Sequence, residues 1–280
     1  MLQSELKVVT SPSLSEALRL LKEHGEQARP LAGATDAMVR IKEGQWRVPL
    51  WLDIRRLPEL NTVSMDHGRL LVGAAVTYSR LLRDPLVAAH APLLAAAAAD
   101  VGSVQIQAMG TIGGNLGTAS PAGDALPSLF ALDAEVGLAS AVGGERWVPI
   151  ETFCLGPGRT ARRPDELITA VRFPPQAPEE RWKWQKLGLR GAQAISIVSL
   201  AFRLRPGFAR VAYGAVGPTV LRARKCEAML SQSPLPEIRT IAQMAWKEVL
   251  PISDLRASAE YRQQMACALL ERGLREVLAQ

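Results

Sequence analysis

The chain has 280 residues, 48% of them apolar and 21% charged, and its 33 Lys and Arg against 27 Asp and Glu leave a net charge of +6. That length exceeds the ~100–200 residues usual for one domain, the composition is that of a globular protein, and no apolar run approaches the ~18 residues of a membrane span. Cys154, Cys226 and Cys267 are too few and too scattered for an iron–sulfur cluster, and His24, His67 and His90 share no metal-ligand spacing, so no metal site is expected on this chain.

The N-terminal stretch MLQSELKVVTSPSLSEALRLLKEHG carries charges where an export signal needs an apolar core. With unpaired cysteines suited to a reducing compartment, a cytoplasmic location is expected. Within it, SPSLSEALRLLKEHG reads as an amphipathic helix with Leu14, Ala17, Leu18 and Leu21 on one face. Ser13 and Glu16 make a capping box, and Gly25 supplies the stop. ARPLAGATDAMVRIKEG follows as a short strand ending at Leu31, a tight glycine turn and a helix closed by Gly44. VPLWLDI is a strand buried on both faces, the pattern of a parallel sheet. LNTVSMDHGRLLVGAAV reads as a hairpin around Asp66–Gly68, Thr77 as the cap of a short helix, and APLLAAAAADVG as an Ala-rich helix ended by Gly102.

Residues 110–138, GTIGGNLGTASPAGDALPSLFALDAEVGL, begin in glycines and end in an apolar run. Strands EVGLASAV and RWVPIE flank a Gly143–Gly144 turn, and DELITAVRFPPQAPEE closes the region with a strand and a Pro-rich linker, read as a domain boundary. Beyond it, RWKWQKLG, AISIVSLAFRLRPG and FARVAYGAV read as three antiparallel strands, followed by three helices. The fold class is α+β. The basic stretch Arg203, Arg205, Arg210, Arg222, Arg224 and Lys225 reads as a solvated face or a surface for partner docking. Nucleic acid is disfavoured, because aromatics are only 5% of the chain and are not interleaved with those charges.

Two glycine-bearing turns carry the chemistry, LAGATD (31–36) and TIGGN (111–115). Each follows an apolar segment and holds small residues with side-chain oxygens: Thr35 and Asp36 in one, Thr111 and Asn115 in the other. Glycine lets backbone N–H groups approach and point at one anion, so two such turns could grip a pyrophosphate from opposite sides. Either one alone is more often a plain tight turn, since glycine turns are common. The spacing of Gly110, Gly113, Gly114 and Gly117 fits neither the dinucleotide fingerprint nor a P-loop.

LAGATDAMVRIKEG, LWLDIRRLPEL, VGSVQIQAMGTIGGNLGTASPAGDALPSLFALDAEVGL, FCLGPGRTARRPDELITAVRFP and LRASAEYRQQMACALLERGL together resemble the flavoprotein subunit of the molybdenum hydroxylases. That family includes carbon monoxide dehydrogenase and xanthine dehydrogenase, and the resemblance runs from about residue 5 to 277. It implies a two-subdomain FAD-binding domain of the PCMH/vanillyl-alcohol-oxidase type over residues 1–176, dividing near 58/59. A C-terminal domain over 177–280 then holds the three-stranded sheet and three helices.

In the family the first loop wraps the FAD pyrophosphate, which implies that Leu31, Ala32, Gly33, Ala34, Thr35 and Asp36 lie at the cofactor. Ala34 stands where a second glycine is usual; if that position needs a positive φ, alanine costs about 1 kcal/mol. Thr111, Ile112, Gly113, Gly114 and Asn115 match the second loop without change, and Thr118 is counted with them. Asp124 matches an aspartate that hydrogen-bonds the cofactor's sugar-like chain, and is equally the N-cap of the next helix. Lys186 matches a lysine near the flavin ring, and is equally a solvated strand lysine. The segment Ile106–Gly110 departs from the family's I-R-N-R-G, with Gln107 and Met109 replacing two arginines.

The resemblance further implies an electron-transfer subunit with no catalytic residue of its own. FAD carries the redox chemistry while the protein binds and orients it. Electrons would come from [2Fe–2S] clusters on a small subunit, a large subunit would hold the molybdenum cofactor, and the terminal acceptor would be one such as NAD+. The implied assembly is a dimer of heterotrimers. A stand-alone flavin oxidase or reductase is the alternative, although its usual acid–base capping domain has no counterpart in the C-terminal part, which lacks His. A cofactor-free scaffold is the third reading.

Overall fold

The computed structural model describes residues 7–279, so the first six residues of the stretch read against export lie outside it. Strands β1 (Lys7–Thr10), β2 (Ala28–Leu31) and β3 (Leu50–Asp53), with helices α1 (Leu14–His24) and α2 (Ala37–Lys42), form a first unit. Its sheet is parallel in the order β1-β3-β2, and central β3 is buried at every position, as its unbroken apolar run predicts. Ser13 Oγ accepts the Glu16 N–H at 3.2 Å, Ala17 and Leu21 are buried, and Gly25 ends α1 at φ +51°.

A second unit begins with β4 (Val63–Asp66) and β5 (Arg69–Gly73). Asp66 pairs with Arg69, and His67 and Gly68 take φ of 46° and 73°, the two positive values of a type I′ hairpin turn. Helices α3 (Tyr78–Leu81), α4 (Pro85–His90), α5 (Pro92–Ala99), α6 (Val104–Met109), α7 (Ile112–Thr118) and α8 (Ala125–Ala131) follow. The chain then adds β6 (Glu135–Ser140), β7 (Gly144–Pro149), α9 (Ile150–Phe153), the short pair β8 (Cys154–Gly156) and β9 (Arg159–Thr160), and β10 (Glu166–Phe173). The sheet order is β4-β5-β10-β6-β7, all antiparallel. The Ala-rich α5 is apolar all round because it is enclosed: Leu93, Leu94, Ala97 and Ala98 are inaccessible to solvent.

The C-terminal unit holds the expected strands β11 (Arg181–Leu187), β12 (Val198–Arg205) and β13 (Phe208–Gly214). A fourth, two-residue strand β14 (Leu221–Arg222) pairs with Ala212 and Tyr213 and was not foreseen, being too short for any periodicity. Helices α10 (Arg224–Leu230), α11 (Ile238–Ala245) and α12 (Ala259–Leu278) cover one face. Alternate residues of β12 divide between two cores: Leu200, Phe202 and Leu204 pack with these helices, and Ala201 packs with the core of the second unit.

Only part of the basic stretch forms the solvated face expected of it, because Arg205, Arg224 and Lys225 are exposed and the other three are not. Arg203 and Arg222 are only 3% and 7% exposed. Asp133, in the turn after α8, accepts hydrogen bonds from Arg210 at 2.7 Å and Arg222 at 3.0 Å. Arg203 donates to Glu180 at 3.1 Å and to the Ala131 carbonyl at 2.7 Å. These acids lie far away in sequence, so local reading leaves the arginines free when the fold pairs them. Replacing Asp133 by Asn keeps a residue that tolerates its left-handed backbone (φ 52°) and removes only the charge. We expect a loss of about 2 kcal/mol in urea unfolding, below the ~3–5 kcal/mol of a fully buried pair because the Asp133 side chain is 34% exposed. An unchanged unfolding curve would mean that these ion pairs do not hold the C-terminal sheet to α8.

Candidate functional site

The two glycine segments meet. Leu31 is the last residue of β2, and the chain turns through Ala32, Gly33, Ala34, Thr35 and Asp36 into α2. A Cβ on Gly33 would lie 1.8 Å from the Met109 carbonyl oxygen and 3.0 Å from Gly110 Cα, so glycine is required by the approach of the two backbones. Ala34 takes φ +60°, the strained conformation that the replacement of a glycine raised. Asp36 does not cap α2 with its side chain; its carboxylate accepts from Thr118 Oγ1 at 3.0 Å, which ties the first segment to the end of α7. Among the described residues, no oxygen accepts from the N–H groups of Gly33, Ala34, Thr35, Asp36 or Ala37. Five consecutive donors are left to face something other than protein.

The second segment is built differently from the turn expected. Thr111 is the N-cap of α7, and Ile112 to Asn115 form its first turn. Thr111 Oγ1 accepts from the Gly114 N–H at 3.0 Å, the Ile112 and Gly113 N–H groups donate to Val76 O (3.1 Å) and Ala74 O (2.9 Å), and Asn115 N–H donates to Thr111 O. All four amides are engaged, so this segment is not a second nest of free donors. A Cβ on Gly113 would stand 2.6 Å from Ala74 Cβ, whereas one on Gly114 would meet only Thr111 Oγ1 at 3.1 Å. Gly113 is thus a packing glycine and Gly114 faces open space. What the segment leaves available is the side chain of Asn115, whose Oδ1 is buried without a partner.

Asp124 and Lys186 meet at the seam between the second and C-terminal units. Asp124 precedes α8 without capping it; its carboxylate accepts from Lys186 Nζ and from Ser196 Oγ, each at 2.7 Å. Lys186, on β11, also donates to the Asp100 carbonyl at 2.8 Å, and its side chain is 8% exposed. It is therefore neither solvated nor free. Burial pushes the Asp124 carboxyl above its usual range, with the Lys186 ammonium and the Ser196 hydroxyl pulling against it. A cavity of about 770 Å³ opens beside Lys186, walled by Asp100, Gly102, Gln107 and the segment 187–194, within the size range of sites for planar organic ligands. Gln107, where an arginine was expected, donates to the carbonyls of Ala99 (3.0 Å) and Val101 (3.1 Å) and so finishes α5; Met109 is 41% exposed. Sequence reasoning missed Ser196 and Asp100, which no motif marks, and Tyr78, whose hydroxyl is buried without a partner.

Residues 4–176 match the family described as the FAD binding domain in molybdopterin dehydrogenase, and residues 184–277 match the CO dehydrogenase flavoprotein C-terminal domain. The xanthine dehydrogenase FAD-binding subunit of Escherichia coli O157:H7 is 31% identical over 276 residues, covering 95% of this chain and 94% of that one. The glyceraldehyde dehydrogenase medium chain of Sulfolobus acidocaldarius is 32% identical over 278 residues, covering 98% of each. Among solved structures, the fold is similar to a chain of carbon monoxide dehydrogenase from Hydrogenophaga pseudoflava, with a TM-score of 0.93, 29% identity, and 100% of this chain and 99% of that one covered.

Proposed function

The chain belongs to the FAD-binding subunit family of the molybdenum hydroxylases, and from that premise we propose that it is the flavin relay of a three-subunit complex. In this reading [2Fe–2S] clusters would lie on a small subunit and the molybdenum cofactor on a large one, and the FAD held by this chain would supply the exchange of electrons between those clusters and an acceptor such as NAD+. The complex is a cytoplasmic dimer of such heterotrimers; none of the described helices is long and apolar enough to cross a membrane.

The observation that carries the reading is the run of amides from Gly33 to Ala37, unpartnered among the described residues and held against Met109 and Gly110 at the end of α6. An amide cluster of this kind binds an anion without fixed positive charge, which suits a pyrophosphate. The buried Asn115 Oδ1 fits the same cofactor, since this acceptor needs a donor that none of the described residues supplies. When bound, FAD supplies the exchange between single electrons and electron pairs.

The chain's own residues bind and orient. Leu31–Ala32 set the direction of the first loop, the amides of Gly33 to Asp36 would hold the cofactor's phosphates, and Thr118 fixes Asp36. Thr111, Ile112, Gly113 and Gly114 make a rigid floor rather than a second set of donors, and Asn115 adds its side chain. Asp124 holds Lys186 at the cavity wall, where the ammonium favours negative charge developing on a ligand. Residues 1–176, with a division near 58/59, retain the cofactor. Residues 177–280 close over the cavity through Lys186.

The test is the purified chain alone. It should carry stoichiometric FAD, contain no iron, be reduced by dithionite, and show no substrate-dependent dye reduction until the small and large subunits are added. Absence of flavin would favour the scaffold reading. Turnover without partners, or stoichiometric iron, would overturn the relay.

A further inference from the structure

Tyr78 is the first residue of α3, placed there by Thr77, whose Oγ1 accepts the Arg80 N–H at 3.3 Å. Its N–H donates to Gly110 O at 3.1 Å, and Thr77 bridges Thr111 in an isolated antiparallel pair. Its ring edge lies 3.2–3.3 Å from where a Gly110 Cβ would stand. Gly110 Cα is also 3.0 Å from where a Gly33 Cβ would stand, so Gly110 is held between the Tyr78 ring and the first glycine segment. The Tyr78 ring thus sits against Gly110, where the first glycine segment approaches the residues that lead into α7.

The residue is only 3% exposed, and its hydroxyl has no hydrogen-bond partner among the described residues. Buried hydroxyls are nearly always paired, because leaving one unpaired forfeits its hydration with nothing in return. Burial, together with the carboxylates of Asp124 and Asp36, holds this phenol far above its ordinary pKa. It stays protonated and can act as a neutral donor, and the two acids that influence it are Asp36 of the first glycine segment and Asp124 at the seam.

We propose that the Tyr78 hydroxyl is a cofactor-binding donor that hydrogen-bonds a pyrophosphate oxygen of FAD at the junction of the glycine segments. The proposal rests on the FAD reading above and adds a residue that lies in neither loop. It accounts for a buried hydroxyl that the described residues leave unpaired: the partner is the ligand. Anionic phosphate is a better acceptor for a phenol than neutral groups are, since hydrogen bonds to charged groups are the stronger class.

The experiment is Tyr78→Phe in the full-length chain, which removes the hydroxyl and keeps the ring. FAD affinity should fall about tenfold, the size of one such contact. ADP, which carries the pyrophosphate without the ribityl chain or flavin, should lose affinity by the same factor. The apoprotein should meanwhile become more stable, its midpoint rising by about 2–4 °C, because an unpaired buried hydroxyl has gone. A purely structural hydroxyl would instead lower that midpoint, and this outcome overturns the proposal. So does FAD affinity unchanged within twofold, or a loss seen with FAD and not with ADP, which would move the contact to the ribityl chain. A wild-type chain that binds no flavin would count against the FAD reading itself; a flavin-binding chain indifferent to the substitution counts against Tyr78 alone.

Discussion

Gly33→Ala is expected to abolish flavin retention. The added Cβ would lie 1.8 Å from the Met109 carbonyl oxygen and 2.6 Å from its carbonyl carbon, both backbone atoms that no rotamer change can move. The first glycine segment would have to part from residues 109–110, and its five unpartnered amides would lose their alignment. Overpacking of this kind costs about 1–3 kcal/mol, occasionally more. If 3 kcal/mol of it appears in binding, affinity falls about a hundredfold. Gly114→Ala is the control, since its Cβ meets only Thr111 Oγ1 at 3.1 Å and the variant should unfold as the wild type does. Stoichiometric flavin surviving gel filtration on a folded Gly33→Ala chain would remove the first segment from the site.

Lys186→Met should cost more stability than any other single change at the seam. The Lys186 and Asp124 side chains are 8% and 10% exposed and lie 2.7 Å apart. Methionine keeps the apolar stem and leaves the Asp124 carboxylate with Ser196 as its remaining side-chain donor. Removing one member of a buried pair costs about 3–5 kcal/mol. The loss should also depend on pH. Burial already raises the Asp124 carboxyl, and without the ammonium it rises further. A folded-state pKa above the unfolded value means that the folded chain binds more protons. That contribution is fully present below the unfolded pKa of about 3.9 and is lost as pH rises through the folded value. Urea unfolding should therefore show a larger deficit at neutral pH than in mild acid. Equal deficits at both would assign the loss to packing and not to charge.

The course of the chain follows from rules that act within a few residues. The Ser13–Glu16 cap, the unbroken apolar run of β3 and the His67–Gly68 turn each depend on near neighbours, and each is found where the sequence puts it. The same holds for Thr77 as the cap of α3 and for the strands on either side of the Pro-rich linker. Residue spacing alone was less informative about Thr111–Asn115. Its glycines suggest an open turn, yet the threonine cap and the Ala74 and Val76 carbonyls draw the segment into a helix.

The order of elements, the α+β class and the two glycine segments of the candidate site are all legible along the chain. The part each of those residues plays depends on neighbours that folding brings to it. Gly33 and Gly113 are glycines because Met109 and Ala74 lie against them. Lys186 is buried because Asp124, 62 residues away, reaches it, and Arg203 is internal because Ala131, 72 residues away, accepts from it. The unpartnered Tyr78 hydroxyl is defined by what surrounds it rather than by its place in any motif. Periodicity, caps and turns are short-range because backbone hydrogen bonds close over a few residues. Burial and ion pairing are properties of surfaces brought together only when the chain has folded, so they carry no local signature.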